Sequence, residues 1–298
     1  MHSILEKMRE VKAQLLPDAI YLKMIFKKHL GYKLNLNEPR TLNEKLQWLK
    51  LNYKNEILTL CADKLAVRDY ITEVLGEQYL IPLLYQTTNP DELANFKFPD
   101  FPFIVKANHN SGGVRIYKNK NDVDLLKLIT ECKLWLKNSH WQKTKEWQYK
   151  NIPPTIIIEK LLLDSDGLIP NDIKFSCVNG IVEMIHIDSN KEIEHLRNNY
   201  SKDLTPLYID WPAGYGRNEY VDIFPLFSEV KSLAEKLAKP FPFVRVDFYV
   251  VGENIYFGEL TFHPTSGFGQ FSPRYYDFKM GSKLDIEVLK KNRDSLGE

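Results

Sequence analysis

Residues 244–264 read VRVDFYVVGENIYFGELTFHP, two β-branched and aromatic runs joined by a short polar turn, which is the pattern of an antiparallel hairpin. It carries charge where a core hairpin should carry none. Strand side chains alternate faces, so Val244, Val246, Phe248 and Val250 share one side and Arg245, Asp247 and Tyr249 the other. On the second run Ile255, Phe257, Glu259, Thr261 and His263 fall together. The turn decides which faces meet. A three-residue loop, Gly252-Glu253-Asn254, pairs Val251 with Ile255 and sets Asp247 opposite Glu259, with Asn254 in the left-handed position. A two-residue loop puts the carboxylates on opposite faces. In the three-residue register the like charges need a cation between them. Arg245 alone is one answer, as an internal salt bridge. A divalent metal ion is the other, since Mg²⁺ takes one or two carboxylates together with substrate phosphates.

The remainder of the chain narrows the function class. A net charge of +1 over 298 residues supplies no positive field for nucleic-acid binding. Cys61, Cys132 and Cys177 stand far apart, with no metal-binding or disulfide spacing, which fits a reducing compartment. The opening MHSILEKMREVKAQLL is broken by charge and lacks a signal-peptide core, and no run approaches a membrane span, so the expected location is cytoplasmic. AIYLKMIFKKHLGYK sets Lys23, Lys27, Lys28 and Lys33 among apolar residues. It reads as a docked amphipathic helix, with contact to a membrane surface over residues 20–33 as the weaker alternative.

Residues 1 to about 85 read as helical. Pro39-Arg40-Thr41-Leu42-Asn43-Glu44 is a helix start with a capping box, and CADKLAVRDYITEVLG starts another helix ending at Gly76. FIVKA, HNSGG and VRIYK follow as strand, mobile loop and strand, and residues 122–138 as a helix. TIIIEKLLL, DIKFSCVNG, IVEMIHID and the opening hairpin read as strands, with FSEVKSLAEKLAK a helix between them. This order predicts an α+β fold.

Lys106 ends a strand just before His109-Asn110-Ser111-Gly112-Gly113, a loop whose backbone N–H groups suit phosphate oxygens, although many surface turns read the same. Lys174 lies mid-strand on the face of Asp172 and wants an anion, either that carboxylate or a phosphate. Arg197, in the loop after IHIDSN, reads equally as a surface charge. His186 and Cys177 read as packed residues. Trp135, Trp141 and Trp147 share no face and read as packing rather than as a glycan groove.

Taken in order, PRTLNEKLQWLKL, CADKLAVRDYI, FIVKANHNSGG, IIIEKLL, DIKFSCVNG, FPFVRVDFY, YFGELTFHPTSGF and SPRYYDFKMG resemble the ATP-grasp superfamily, in its branch named for teichuronopeptide biosynthesis, from about Pro39 to Met280. The resemblance implies ATP and Mg²⁺ held between two α+β subdomains. A helical region (1–95) would precede a small subdomain (96–158) and a large one (159–298). Lys106 would contact phosphates under the HNSGG loop. Glu159, Lys160, Leu161 and Leu162 would form the adenine hinge, with Asp166 on the ribose. Lys174 and Arg197 would face the terminal phosphate or the carboxylate substrate. Asp247 and Glu259 would hold Mg²⁺, with Arg245 stabilising the transferred phosphoryl group. The superfamily's usual third ligand, an Asn, is Thr261 here, and water or His263 would otherwise complete the shell. The implied activity is a carboxylate–amine ligase working through an acyl phosphate, joining an amine or amino acid to a uronate-type carboxylate in surface-polysaccharide assembly. Two rivals remain. Asp164-Ser165-Asp166 has the spacing of a glycosyltransferase metal motif, though Gly167 after it marks a polar turn. The other is an ATP-binding protein without turnover, which Thr261 favours.

Overall fold

The computed structural model describes residues 13–189, 192–218 and 226–290. The first twelve residues, which carry most of the stretch read above as lacking a signal-peptide core, lie outside that set. Helix α1 (Asp18–Leu30) buries Tyr21, Leu22, Ile25 and Phe26 and exposes Ile20, Lys23, Met24, Lys27 and Lys28, so it is a docked amphipathic helix. No helix among the described residues is long and apolar enough to cross a membrane.

Helix α2 (Leu42–Asn52) begins at the expected capping box. Thr41 Oγ1 accepts the Glu44 N–H at 3.1 Å, and Glu44 Oε2 accepts the Thr41 N–H at 3.1 Å. The next segment differs from expectation. Cys61 and Ala62 close helix α3 (Glu56–Ala62), and α4 (Val67–Val74) begins five residues later. The break is made by Asp63, whose Oδ1 accepts the Leu65 N–H at 2.8 Å in an Asx turn that competes with the helix. Lys64 sits in that turn and is thereby aimed inward.

Two antiparallel sheets follow. The first has the order β1-β4-β2-β3, from β1 (Leu83–Thr87), β2 (Phe103–Ala107), β3 (Val114–Tyr117) and β4 (Ile156–Lys160). One of its faces packs Phe103, Val105, Ile156 and Ile158 against Leu128 and Cys132 of α5 (Leu125–Lys137), and the short α6 (His140–Thr144) follows. The second sheet has the order β10-β9-β5-β6-β7-β8. Its strands are β5 (Asp172–Val178), β6 (Ile181–Ser189), β7 (Leu196–Ser201), β8 (Pro206–Leu207), β9 (Phe243–Val251) and β10 (Asn254–Thr261). Helix α7 (Phe227–Ala238) covers its apolar face, setting Val230, Leu233, Ala234 and Leu237 against Phe175, Val244, Val246 and Phe248. Strands β1, β7 and β8 were not expected. β7 hides because LRNNYS puts its polar side chains on a buried polar face, so the usual apolar alternation is missing. Arg197 therefore lies in a strand, not a loop.

The β9–β10 hairpin reaches the anticipated pairing by another route. Asn254 pairs with Val251, so the loop has two residues, Gly252 and Glu253, with Gly252 at φ 61° in the first central position. Continued unbroken, that register would separate the carboxylates. A bulge at Gly258 shifts it between Phe257 and Glu259, and Glu259 then pairs with Asp247. Ile255 and Phe257 stay with the apolar face, while Glu259 and Thr261 move to the charged one. A Cβ at Gly258 would lie 3.0 Å from the Asp247 carbonyl oxygen, so the bulge accepts little more than a hydrogen there.

Helix α8 (Tyr275–Lys283) locks α2 in place. Asp277 accepts from Asn43 N–H at 3.0 Å and from Asn43 Nδ2 at 2.9 Å, and a Cβ at Gly281 would come within 2.2 Å of the Arg40 carbonyl oxygen. Gly281→Ala is expected to force these helices apart and cost about 1–3 kcal/mol, read as a lower urea midpoint.

Candidate functional site

The charged face of the second sheet carries a row of polar residues that crosses five strands: Glu259, Asp247, Lys174, His186 and Asn199. Apart from Glu259 they are buried, so each charge needs a partner. Lys174 Nζ donates to Asp247 Oδ2 at 2.6 Å and lies 3.2 Å from Asp172. The bland partner anticipated for it is therefore present, but Asp247 is the nearer one. Arg245 Nε and Nη2 grip Asp247 at 2.7 and 2.6 Å. The same Nη2 reaches Glu259 Oε1 at 2.6 Å and Thr261 Oγ1 at 3.0 Å, and Thr261 donates to Glu259 at 2.9 Å. Three oxygens thus converge on one cationic nitrogen.

Electrostatics follow from this packing. Burial pushes the Asp247 carboxyl upward, and Arg245 and Lys174 offset only part of that. Glu259 lines the cavity, where partial enclosure acts the same way, but Arg245 above all, with Lys174 and Lys64, overcomes it and holds that carboxyl at about 2. Burial also works against the Lys174 charge, yet Asp247 keeps its pKa above the ordinary lysine value.

Two neighbouring cavities that share Lys106 lie between the sheets. One, of about 310 Å³, is a largely apolar slot walled by Ile104, Ile116, Leu162 and Tyr249 and edged by the chain from Glu159 to Leu162. The other, of about 570 Å³, is polar and receives Lys64, Lys106, Arg245, Glu259 and the Asn110–Gly113 loop. Lys106 lines both and pairs with Glu159 at 2.6 Å, while Arg68 stands 3.5 Å from the same carboxylate. Lys64 Nζ donates to the Asn110 carbonyl at 2.7 Å and so ties the glycine loop to the helical region. Burial pushes the Lys64 pKa down by more than the neighbouring Glu259, Asp63 and Glu159 offset. Lys64 was not among the residues expected at the site. The only signal was a lysine directly after a helix-breaking Asp.

A family model described as TupA-like ATPgrasp matches residues 44–285. The chain belongs to the TupA-like ATP-grasp family. The activity that goes with this family is that of an ATP-dependent ligase, and the expected α+β fold is the observed one. No curated protein matches the chain. Solved structures similar to it include the D-alanine–D-alanine ligase of Bacillus anthracis, 19% identical over 80% of this chain and 71% of that one, with a TM-score of 0.46. The corresponding ligase of Helicobacter pylori is 15% identical over 82% and 69%, with a TM-score of 0.44. The ATP-grasp ligase PsnB is 13% identical over 74% and 57%, with a TM-score of 0.41.

Within this ATP-grasp chain several anticipated residues meet. Lys106, Asn110, Ser111, Gly112 and Gly113 line the polar cavity, and Glu159, Lys160, Leu161 and Leu162 line the slot. Gly113 has a packing role as well, since a Cβ there would lie 3.0 Å from Trp135. Others lie elsewhere. His109 is neither solvated nor turned to the cavities: it is buried, with Nδ1 3.2 Å from Asn108 Oδ1 and Nε2 3.2 Å from the Asn138 carbonyl. Asp166 is exposed on a turn in which Asp164 Oδ1 accepts the N–H groups of Asp166 and Leu168, both at 2.9 Å, and it lines neither cavity. The Asp-Ser-Asp motif is that turn. Arg197 is buried in a bidentate pair with Asp188, one arm of it 2.7 Å long, under the Tyr215 ring. It faces neither cavity. His263 bonds Gln148 rather than Glu259, so it is no part of the carboxylate cluster. His186 and Cys177 are buried, as anticipated.

No group of three or more His, Cys, Asp or Glu with metal-site geometry occurs among the described residues. Two carboxylates and a hydroxyl nevertheless already share one cation, the Arg245 Nη2, and that donor set fits a hard divalent ion completed by phosphate oxygens and water.

Arg245→Met is expected to cost about 3 kcal/mol by leaving Asp247 under-compensated. The sign of its pH dependence follows from Glu259, held below its unfolded value of about 4.3. Stabilisation of this kind is complete above that value and is lost as pH falls through about 2. Urea unfolding at stepped pH should therefore show the wild-type advantage shrinking over that acid window. An advantage unchanged down to pH 2 would contradict the pairing.

Proposed function

We propose that this protein is a carboxylate–amine ligase that uses ATP to activate a carboxylate as an acyl phosphate and then forms an amide. The observation that carries the reading is the meeting of Lys64, Lys106 and Arg245 with Glu259 in a polar cavity that shares Lys106 with an apolar slot. Adenine fits the slot, with the chain at 159–162 supplying backbone groups to its edge. The phosphates then fall among Lys64, Lys106 and the N–H groups of the Asn110–Gly113 loop. Asp247 and Glu259, with Thr261, would hold Mg²⁺, which when bound neutralises charge on the terminal phosphates. Arg245 and Lys174 stand beside these carboxylates to balance charge on the transferred group. The site needs positioning and charge, not a nucleophilic side chain. We further propose a helical region and two subdomains that meet at the cavities, with β1 (Leu83–Thr87) belonging to the first sheet rather than to the helical region.

The donor we assign is a uronic-acid-type carboxylate, and the acceptor an amine or amino acid, in cytoplasmic steps of surface-polysaccharide assembly. That finer assignment rests on the family resemblance. A glycosyltransferase is disfavoured because Asp164 spends its carboxylate on a turn. A non-catalytic nucleotide binder is favoured by one observation, the Arg245 guanidinium lying across both carboxylates.

The test is ADP release by the full chain with MgATP, over uronic acids crossed with amino acids and amines, followed by mass spectrometry. At least one pair should yield ADP and the condensed product. Tight ATP binding with no ADP from any pair would instead establish the binder, and preference for a uridine diphosphate sugar the transferase. Lys106→Met should weaken binding of a non-hydrolysable ATP analogue roughly 10- to 100-fold, the worth of one charge-assisted contact, by calorimetry.

A further inference from the structure

The polar cavity is cationic where phosphates would lie, but one wall of it has the opposite character. Glu146, on the turn after α6, lines this cavity and is 3% exposed. Burial pushes its carboxyl up, yet the neighbouring His140, 3.5 Å away, and the charge of Lys50 overcome this and hold it at about 2, so it is an anion. Its partners are weak for a buried anion. Gln148 Nε2 donates to Oε2 at 3.2 Å, and among the described residues the ionic partners within 4.0 Å are two imidazoles, His140 Nε2 at 3.5 Å and His263 Nδ1 at 3.8 Å. No lysine or arginine among the described residues comes within 4.0 Å of it, and the Lys50 charge acts on it from farther off. A buried carboxylate left this way suits a cation that arrives from the cavity.

His140 has the matching geometry. Its Nε2 faces Glu146, its ring edge packs on Tyr149 at 4.8 Å, and it lines both this cavity and a neighbouring one at the glycine loop. With Nε2–H directed at a carboxylate, Nδ1 carries the lone pair, and it has no hydrogen-bond partner among the described residues. The surrounding wall is held stiffly. Lys50 Nζ donates to the Thr144 carbonyl at 3.0 Å and to the Ser266 carbonyl at 2.7 Å, tying the turn before Glu146 to the 264–267 loop. In that loop Thr265 and Ser266 are consecutive non-glycine residues at φ 50° and 55°, a strain that needs such clamping.

We propose that Glu146 and His140 form the acceptor subsite, taking a primary ammonium group and removing its proton; this rests on the ligase reading above. Glu146 neutralises the entering ammonium, and His140 Nδ1 accepts one proton. The freed nitrogen lone pair forms the C–N bond to the acyl-phosphate carbonyl carbon. As the C–O bond breaks, phosphate leaves with the electron pair and takes the second proton, and His140 returns its own to solvent. The acceptor is thereby narrowed to primary amines, and hydroxyl or thiol acceptors, which bring no positive charge, are disfavoured.

Two measurements on the full chain test this. The first uses histidine-selective ¹⁵N labelling with Mg²⁺ and a non-hydrolysable ATP analogue, titrated with ethanolamine as the probe. A saturable shift of the His140 resonances, abolished in Glu146→Gln, is expected. No shift, or the same shift in Glu146→Gln, overturns the subsite whatever the reaction proves to be. The second compares ethanolamine with hydroxylamine, a nucleophile that is uncharged at neutral pH. In His140→Asn and Glu146→Gln the ratio of amide to hydroxamate should fall roughly 100-fold or more, the scale of general-base catalysis. An unchanged ratio overturns the assignment. Absence of both products in wild type from every carboxylate counts against the ligase reading instead, and the resonance titration then decides the subsite alone.

Discussion

The guanidinium of Arg245, shared among Asp247, Glu259 and Thr261, is the interaction on which the site depends. Two carboxylates on adjacent strands repel, and burial of Asp247 raises the cost. Arg245 on one side and Lys174 on the other make the arrangement tenable. The opposite face of the same strands is an uninterrupted apolar layer under α7. Hydrophobic burial holds the strands in place, and charge pairing lets them present carboxylates into a cavity.

Around that row the site is assembled from distant segments. Lys64 comes from a break between two helices, Lys106 and Glu159 from neighbouring strands of the other sheet, and Glu259 from the hairpin. The helical region is part of the site. Its α2 clamps the 264–267 loop through Gln47 and Lys50, and its Asx turn at Asp63 delivers Lys64. The polar cavity therefore is lined both by cations suited to phosphate and by the Glu146–His140 pair suited to positive charge. The ligase reaction proposed for this site would use both.

Elements governed by local rules were legible. The Thr41–Glu44 capping box, the apolar stripe of α7 and the strand–loop–strand around HNSGG all rest on spacing within a few residues. Strand β7 was not legible, because a strand whose polar side lies against a buried polar face has no amphipathic alternation to read. His109 and Asp166 were assigned to the nucleotide by position in a motif. The structure gives the first a buried role between Asn108 and Asn138, and the second an exposed turn. Glu146 and His140 carried no signal at all, since nothing near them in sequence says they face a cavity.

The opening hairpin marks the division most clearly. Its residues by themselves determined that Arg245, Asp247 and Glu259 would lie on a β-hairpin, because strand propensity and the Gly252 turn are local properties. Alternation alone, however, joined Glu259 to Phe257 and needed a three-residue loop to bring it to Asp247. The tertiary structure chose a two-residue turn and a bulge at Gly258. The reason is that Phe257 and Leu260 must both enter the core while Glu259 faces the cavity, and a regular strand cannot meet all three demands. That the two runs form a hairpin was written in the chain; which face of the second strand is apolar, and which carboxylate met which cation, was decided by packing.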